Sequence, residues 1–577
     1  MSWTHRRLLF ATLVIATTAL LSAWLASVLA AGGFGIIAAI MVTAFALKAI
    51  WVAINFWNAV IGFVVLRRGL TAPEGVPPAQ DVAVKDRVAI AMTVCNEEVV
   101  PLIARLKSMK ANLDASGHGD HFDYFLLSDS SQPDIIAAEQ RFVLAWQAEM
   151  ADGQRLVYRR RAQNSGAQHG NLYDFCHRFG GNHDVMIILD ADSLMTAGAI
   201  LELVRIMQAN PRIGMLQSVN SGILMPSLFA RIFEFGHRHG MRCWVAGTVW
   251  WQGERGQYRG HNAAIRVAAY TNHCSLADLP GKEPFGGVMF CHDQIEAILM
   301  HRAGYEIREF PVELGSYEGV PPALTDFATR YSRWFQGNLK NLAMLRLSGL
   351  TGMDRYHLIG VAHRFMGWPA VVLFVALAEV LTLEWPGSSA FPVGSALALY
   401  ASYFTIYFTP KILGLFDAAL CAPGSYGGVV RLIAGGLLDL VSTLLFLPIA
   451  MLTSTFFVVG FIFGRELRWD TQQREGYRLS WSAAARSLWP HTGFGVALLA
   501  MLARAEPASI LWFLPFIAGL VLAIPLAVVT ASAELNSLAA RWKLCALPEE
   551  IDVPREIASV LEFEATNGKS SACEFIS

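Results

Sequence analysis

Long apolar runs near both ends of the chain limit its fold more than any other feature. Residues 8–31 form one such run, and residues 34–66 form a second. About 20 apolar residues suffice to cross a bilayer as a helix, so each run predicts a transmembrane helix. Paired arginines flank the outer ends: Arg6 and Arg7 before the first run, Arg67 and Arg68 after the second. By the positive-inside rule, residues 1–70 are therefore expected to form a hairpin with both ends in the cytoplasm.

Hydrophobicity returns in the C-terminal part of the chain. Residues 72–352 form a polar interval without a segment apolar enough to span a membrane. We expect about six further helices in residues 353–533, because runs of this length suit membrane helices. A polar cytoplasmic tail is expected at residues 534–577. The apolar runs lie at about 357–383, 391–416, 428–464, 491–504 and 509–533.

The run at residues 428–464 is ambiguous. Pro448 divides it, so it can be one long tilted helix or two short crossings. The loop at residues 465–490 is rich in arginine, which favours the cytoplasmic side. Its arginines are Arg465, Arg468, Arg474, Arg478 and Arg486. This orientation requires an even number of crossings, so we expect two crossings here and about eight in the whole chain.

The composition excludes some classes of function. The chain is 54% hydrophobic and 16% charged, which suits membrane helices combined with at least one soluble domain. A formal net charge of -1 gives no basic excess to hold phosphates, so we expect no nucleic-acid partner. The cysteines are scattered without a Cys-x-x-Cys pair, which favours a reducing compartment over a disulfide framework.

The polar interval alternates apolar strands with helical segments. The strands are "RVAIAMTVCNE", "FDYFLLSDSSQ", "RLVYRRR" and "DVMIILDADSLM". Continuous apolar strands separated by amphipathic helices predict a parallel sheet that is covered on both faces. Ligands of such sheets gather at the carboxyl ends of the strands, so the residues that follow each strand are candidates for a site.

Acidic side chains follow three of these strands. Asn96 and Glu97 end the first, Asp129 ends the second, and Asp190 and Asp192 end the last. Like charges at one sheet edge repel, so we expect a divalent cation that also binds a diphosphate. Residues i and i+2 of an extended turn point to the same side, which suits Asp190 and Asp192 as metal ligands. Alternatively, these aspartates only cap the following helices.

Several motifs identify a family resemblance. "TVCNEE", "LLSDSS", "MIILDADSLM", "FCHDQIEAILMHRAGYEI" and "RYSRW" resemble inverting glycosyltransferases of family 2, which are cellulose-synthase-like. "RGHNAAIR", "LPGKEPFGG", "LGSYEGVPP" and "RWFQGNLKN" resemble the glucan biosynthesis glucosyltransferase H family. The resemblance implies an α/β nucleotide-sugar-binding domain of the GT-A-like kind, inserted in a polytopic α-helical membrane protein. It also implies a UDP-glucose donor, a growing glucan acceptor and a divalent metal, Mg²⁺ or Mn²⁺.

The resemblance implies roles for the acidic edge. Asp192 is the first metal ligand and acts in catalysis, with Asp190 assisting it. Asp129 matches the family position that contacts the uridine end of the donor, and Asn96 and Glu97 border the same pocket. A metal held there stabilises the charge of the leaving diphosphate.

Asp293 in "CHDQIEAIL" matches the general base of the family. A base that takes the proton of an acceptor hydroxyl contributes a factor of roughly 10² to 10⁴ to the rate. Taken by itself, an aspartate that opens a helix is more simply an N-cap.

The motif "RYSRWFQGN" supplies a third group of residues. Arg330 and Arg333 are expected to bind the diphosphate, since a guanidinium presents paired donors. Trp334 offers a flat face to the acceptor sugar, or else anchors the segment at the membrane interface. The resemblance places His261 and Asn262 at the donor sugar and acceptor. Arg330 stands where the family usually has glutamine.

Another departure from the family pattern concerns a lysine. Many members have lysine at the position of Gln168. Glutamine in its place removes a cation that is expected near the diphosphate. Either Arg159, Arg160 or Arg161 replaces it, or the activity is reduced.

The implied protein is a multi-pass enzyme of the bacterial inner membrane with a cytoplasmic catalytic domain. It elongates a β-glucan, mainly β-1,2-linked, which passes toward the periplasm, where glucan-processing proteins are further partners. Asp439, Glu379, Tyr403 and Tyr407 lie in apolar runs and are expected to face the passage, among membrane lipids. The alternatives are a cellulose-, hyaluronan- or chitin-synthase-like polymerase, or a non-catalytic scaffold built on a degenerate transferase domain.

Overall fold

A computed structural model describes residues 2–69, 76, 82–384, 391–465, 479–505 and 507–567. Its first two helices, α1 (Trp3–Ala30) and α2 (Ile36–Arg67), form a hairpin joined by a glycine-rich turn. They pack closely along their length, and Trp57 Nε1 of α2 donates a hydrogen bond to Thr17 Oγ1 of α1 at 3.0 Å. Both are long and apolar enough to span a membrane.

A mixed α/β domain follows the hairpin and confirms the predicted fold class. Its strands are β1 (Val88–Val94), β2 (Phe122–Ser128), β3 (Leu156–Arg160), β4 (Val185–Asp190), β5 (Leu194–Met195), β6 (Ile213–Ser218), β7 (Asn220–Ile223), β8 (Ala263–Arg266), β9 (Glu306–Phe310) and β10 (Ser316–Gly319). Its helices are α3 (Val99–Ala115), α4 (Pro133–Glu149), α5 (Ala167–Arg178), α6 (Ala197–Ala209), α7 (Leu228–Gln252), α8 (Val267–His273), α9 (Asp293–Arg302) and α10 (Leu324–Asn341).

The strands form two sheets. The larger has the order β3-β2-β1-β4-β8-β6-β9, and the smaller has the order β5-β10-β7. Strands β1, β2, β3 and β4 are mutually parallel, as predicted, whereas β8 runs antiparallel to both of its neighbours. In this register Val94 pairs with Ser128 and Thr93 pairs with Asp190. The carboxyl ends of β1, β2 and β4 therefore meet at one edge.

Both faces of the larger sheet are buried. Alternate side chains of each strand point to opposite faces, so each strand contributes to two cores. Ile90 and Met92 belong to a core that includes residues of α3 and α6. Ala89 and Ala91 face a second core that includes residues of α5, α8 and α9. The continuous apolar strands in the sequence result from this double burial.

The C-terminal part contains α11 (Gly352–Glu384), α12 (Val393–Cys421), α13 (Val429–Ile462), α14 (Trp481–Ala505), α15 (Ile510–Val521) and α16 (Ala523–Thr530). Among the described residues, five helices have the length and composition of a membrane span, namely α1, α2, α11, α12 and α13. A bent pair, Pro507–Val521 with Ala523–Thr530, makes a sixth candidate. These helices support a membrane protein.

The prediction that residues 428–464 cross the membrane twice is wrong. The segment forms the single helix α13, which continues through Pro448. No turn interrupts it between Val429 and Ile462, so the chain cannot reverse direction there.

Both ends of α13 contact the α/β domain or segments packed on it. Near the start, a Cβ on Gly435 would lie 2.9 Å from the ring of Phe235 in α7. Near the end, the rings of Phe461 and Phe285 are 4.9 Å apart, and Phe285 lies in the loop before α9. The arginine-rich loop therefore starts next to a segment of the α/β domain. Arg468, Arg474 and Arg478 of that loop lie outside the described residues.

Helix α7 fixes the α/β domain to the membrane helices. A Cβ on Gly62 of α2 would lie 1.7 Å from the Cys243 carbonyl oxygen, so only glycine permits this backbone contact. Trp251 Nε1 donates to Asn58 Oδ1 at 2.9 Å, and Trp244 Nε1 donates to Asn55 Oδ1 at 2.8 Å. The two asparagines within the apolar run of α2 thus hold α7 against the hairpin.

The segment after the membrane helices folds back onto the α/β domain. It contains α17 (Ala533–Arg541), α18 (Pro548–Ile551) and α19 (Arg555–Asn567). Ile557 and Val560 belong to the core formed with α3. Arg231 and Arg238 of α7 pair with Glu550 and Glu549. The described part of the predicted tail is therefore packed against the α/β domain, and residues 568–577 lie outside the described residues.

Candidate active site

Asp190 and Asp192 lie in a turn that its neighbours hold in place. Ser193 Oγ accepts a hydrogen bond from the Asp190 amide at 3.1 Å, and Arg105 Nη1 donates to the Ala191 carbonyl at 3.1 Å. The buried carboxylate of Asp192 lies against β10, where a Cβ on Gly319 would lie 2.7 Å from Asp192 Oδ2. Glycine at that position leaves the space that the carboxylate occupies.

Gln168 takes the place of the expected lysine. Its Nε2 donates to Asp190 Oδ1 at 2.6 Å and to Thr93 Oγ1 at 3.1 Å. A neutral amide orients the Asp190 carboxylate without cancelling its charge. The expectation that a neighbouring arginine replaces the lysine is not supported. Arg159 donates to the Asn171 carbonyl, Arg160 donates to the Ser130 carbonyl, and Arg161 binds Asp129.

Asp129 is not a free carboxylate at this edge. Arg161 binds it with two hydrogen bonds, Nε to Oδ1 at 2.8 Å and Nη2 to Oδ2 at 2.5 Å. The same guanidinium donates to the carbonyls of Ser165 and Ala167 at 2.9 Å. The predicted convergence of three acidic positions on one cation is therefore not supported at Asp129, since an arginine already relieves the repulsion there.

Asn96 and Glu97 lie at the same edge as predicted from the end of β1. Asn96 has a positive φ of 55°, and its Oδ1 accepts from the amides of Ser131 and Gln132 at 2.9 and 3.0 Å. Its side chain therefore holds the loop that starts α4. Glu97 is half-buried beside Cys95, whose thiol pKa is raised by burial and by nearby acids, Asp129 and Glu97.

His261 lies close enough to several acidic side chains for their charge to affect its pKa. Its Nε2 lies 3.3 Å from Glu318 Oε2. Burial disfavours the protonated ring, yet Glu318, with Asp190 and Asp192, raises the pKa of His261 to about 10. The ring is therefore a cation at neutral pH, placed beside the acidic edge. We predicted it as an acceptor contact, but its charge suits the diphosphate equally.

Asn262 has a different place from the one expected. Its side chain is fully buried, and its Nδ2 donates to Ser316 Oγ at 3.0 Å and to the Tyr317 carbonyl at 2.9 Å. The amide thus joins β8 to β10. An acceptor-binding role for Asn262 is not supported, because these bonds use its donors.

Asp293 is the first residue of α9, while His292 is the N-cap and makes no capping hydrogen bond through its side chain. The alternative that Asp293 is only an N-cap is therefore wrong. Burial, assisted by the nearby charge of Glu296, raises the pKa of Asp293, while His292 and His261 oppose that rise. Within the described residues the carboxylate forms no ion pair. It is partly exposed, which leaves it open to a substrate hydroxyl.

Helix α10 covers this site. Arg330 lies over the ring of Trp334 at 4.7 Å, and one of its nitrogens is 3.5 Å from Glu318 Oε2. Asn341 Nδ2 of the same helix donates to the Cys291 carbonyl at 2.7 Å, two residues before Asp293. Trp334 and Arg333 are half-buried. The motif predicted from the sequence therefore lies beside the candidate base.

Three residues that were not among the predicted site residues have side chains of the types that bind metal ions. One ligand atom each of His169, His292 and Glu296 lies within 4.8 Å of the others, and all three residues are buried. His292 and Glu296 are four residues apart in the motif "HDQIEAIL", which is a spacing that joins side chains on one helical face. No sequence signal joins His169 to them, and Glu318 was also missed.

A cavity of about 700 Å³ lies among the membrane helices. It is lined mainly by apolar and aromatic side chains, and Tyr403 and Tyr407 are among them. Asp439 and Glu379 are not among its lining residues. Lys411 Nζ instead binds both oxygens of Asp439 at 2.7 Å. The expectation that these two acids face a passage is therefore not supported.

Two family models match the chain. "Glycosyl transferase family 2" matches residues 89–274, and "Glycosyl transferase family group 2" matches residues 185–458. The matched regions contain the acidic edge, Asp293 and α10.

Curated relatives confirm the resemblance found in the motifs. The chain is 33% identical over 557 residues to "Glucans biosynthesis glucosyltransferase H" of Xanthomonas campestris pv. campestris (strain B100), covering 93% of this chain and 86% of that protein. It is 34% identical over 552 residues to the protein of the same name from Pseudomonas aeruginosa (strain UCBPP-PA14), covering 92% of this chain. The chain spans 64% of the length of that Pseudomonas protein.

A solved structure also matches. The mannosyltransferase PcManGT from Pyrobaculum calidifontis, in complex with GDP-Man and Mn²⁺, aligns with 66% of this chain and 98% of its own, at 16% identity and a TM-score of 0.42.

Proposed function

The chain belongs to the glucans biosynthesis glucosyltransferase H family, and we propose that it polymerises glucose from UDP-glucose into a β-glucan with inversion at the anomeric carbon. One observation carries the proposal. A Cβ on Gly260, the residue before His261, would lie 3.6 Å from the Asp293 side chain, and the charges of Asp190 and Asp192 act on the His261 ring. The residues proposed as metal ligands and as the base therefore lie around the same histidine.

The oxygen ligands available at the acidic edge fit a divalent cation. Asp190 and Asp192 offer carboxylate oxygens, which Mg²⁺ and Mn²⁺ prefer, and Gln168 leaves the charge of Asp190 intact. A bound cation would stabilise negative charge on the leaving diphosphate.

The chain's own residues account for the remaining chemistry. Asp293 takes the proton of the acceptor hydroxyl as that oxygen bonds to the anomeric carbon. The bond from the anomeric carbon to the diphosphate breaks on the opposite side, and UDP leaves. Protonated His261 and Arg330, which share Glu318 as a partner, supply positive charge beside the departing group. Trp334 supports the acceptor sugar through its ring face.

The product is proposed to leave through the cavity among the membrane helices. Val371 and Val375 of α11 line that cavity, and Trp368 of the same helix contacts α10, which covers the site. Tyr331 stacks on Trp368 at 4.1 Å. Aromatic faces bind sugar rings without fixing their register, which suits a moving polymer. In this proposal the α/β domain is cytoplasmic and the membrane is the bacterial inner membrane.

Inverted membrane vesicles that contain the protein test the proposal. They are given radiolabelled UDP-glucose or UDP-N-acetylglucosamine, with Mg²⁺, with Mn²⁺ or with EDTA. We expect polymer from UDP-glucose only, loss of polymer in EDTA, and mainly β-1,2 linkages by methylation analysis of the product. Polymer from the second donor alone would favour a chitin- or hyaluronan-synthase-like enzyme. No transfer from either donor would favour a non-catalytic scaffold.

A further inference from the structure

A buried acid that the proposed reaction does not use lies one turn after Asp293. Glu296 is fully buried in the first turn of α9. Its Oε1 accepts hydrogen bonds from His169 Nδ1 at 2.7 Å, His292 Nδ1 at 2.9 Å and Tyr270 Oη at 2.6 Å. Its Oε2 is buried without a hydrogen-bond partner in the described residues. One oxygen thus holds three side chains, one from α5, one from α8 and one from the N-cap of α9.

The cluster is charged as well as buried. Burial alone would raise the pKa of Glu296. His292 and His169 instead hold that pKa well below its usual range. The pKa of His292 is raised by Glu296 against the effect of burial. A buried carboxylate that is paired in this way is rigid, because breaking any of its bonds leaves a buried charge uncompensated.

The cluster joins the two halves of the candidate site. His292 directly precedes Asp293, the proposed base. His169 directly follows Gln168, whose amide binds Asp190. Glu296 therefore binds His292, which is adjacent to the proposed base Asp293. It also binds His169, which is adjacent to Gln168, the side chain that orients Asp190.

We propose that Glu296 is a positioning residue that fixes the distance between the base Asp293 and the Asp190–Asp192 edge. This inference rests on the proposed function. A base acts only within hydrogen-bond reach of the proton that it takes. A displacement of about 1 Å costs roughly a hundredfold in rate. The observed contacts of 2.6 to 2.9 Å are hydrogen-bond lengths, so the cluster acts through hydrogen bonds rather than as a metal centre.

The test compares Glu296→Gln with a matched control in the full-length protein in lipid nanodiscs. Asp354→Asn serves as the control, because Asp354 is fully buried and accepts a hydrogen bond from His301 Nδ1, at the other end of α9, at 3.2 Å. Both changes remove a buried charge that is paired with a histidine. Only Glu296 contacts the segments beside Asp293 and Asp190.

We expect Glu296→Gln to lower kcat about 10- to 100-fold, as loss of a supporting hydrogen bond does at other sites, with the KM for UDP-glucose changed less than about twofold. Asp354→Asn should keep the wild-type kcat. Unchanged kcat in Glu296→Gln, or an equal loss in both variants, would overturn the proposal. Stoichiometric zinc that is lost from Glu296→Gln would overturn it too, in favour of a metal centre.

Amide hydrogen exchange provides a readout that needs no turnover. We expect faster exchange at residues 166–171 and 290–296 in Glu296→Gln but not in Asp354→Asn. Unchanged exchange would refute positioning even if the wild-type protein used a different donor. Absence of transfer by the wild-type protein, with the exchange result as expected, would refute the proposed function while leaving the positioning supported.

Discussion

Replacing Asp293 by asparagine removes the proposed base and keeps the shape of the side chain. Because a positioned base contributes about 10² to 10⁴ to the rate, kcat should fall by that factor, which corresponds to about 3 to 5 kcal/mol. UDP should still bind, since the groups proposed to hold the diphosphate are His261, Arg330 and the metal at the acidic edge.

The stability of this variant follows from the pKa of Asp293. Burial raises that pKa, so the folded state disfavours the charged carboxylate relative to the unfolded chain. Above the folded pKa the carboxylate therefore costs stability, and asparagine removes that cost. We expect an unchanged or slightly higher melting temperature at neutral pH. The loss of polymer could then not be attributed to unfolding.

The assay measures incorporation of radiolabelled glucose by purified protein in nanodiscs, together with UDP binding by calorimetry. Asp278→Asn is the matched control, because Asp278 is exposed in the loop before α9. The control should polymerise at the wild-type rate. Turnover within about threefold of wild type in Asp293→Asn would refute the assignment of the base, since the smallest contribution expected of one is about a hundredfold.

Further predictions concern the acidic edge and the core. Gly319→Ala places a methyl group 2.7 Å from Asp192 Oδ2, so metal-dependent polymerisation should fall at least about tenfold with little change in melting temperature. Since the pKa of His261 is raised to about 10, its contribution to stability is complete below about pH 6.5 and is lost as pH rises through 10. The kcat/KM of the wild type should likewise decline near pH 10, and His261→Gln should be weak throughout and lack that decline. Ile557→Ala should cost about 2 to 5 kcal/mol in denaturant unfolding because Ile557 is buried against α3, whereas the partly exposed Ile551→Ala should cost less than about 1 kcal/mol.

Much of the fold could be predicted because its signals are local. The apolar runs of α1 and α2 and the continuous strands β1, β2 and β4 follow from side-chain pattern alone. The course of α13 could not be predicted. Pro448 suggested a break, but the helix continues through it and contacts α7 near its start and the loop before α9 near its end.

The candidate site was predicted less completely than the fold. Position after a strand correctly placed Asn96, Asp129 and Asp190 at one edge, since parallel strands end together. The position of a residue in the sequence could not show whether its side chain already binds another part of the protein. Asn96 holds a loop and Asp129 binds Arg161, and neither contact has a signature in the sequence.

The sequence by itself determined the membrane hairpin, the parallel sheet and the edge at which the acids collect, because hydrophobic periodicity and strand ends are properties of short segments. Only the tertiary structure decided which charges meet. Arg161 reaches Asp129 across 32 residues, and His169 reaches Glu296 across 127 residues. Such pairs form only when the sheet and the helices that cover it are packed, since an unpaired charge in the packed interior is costly.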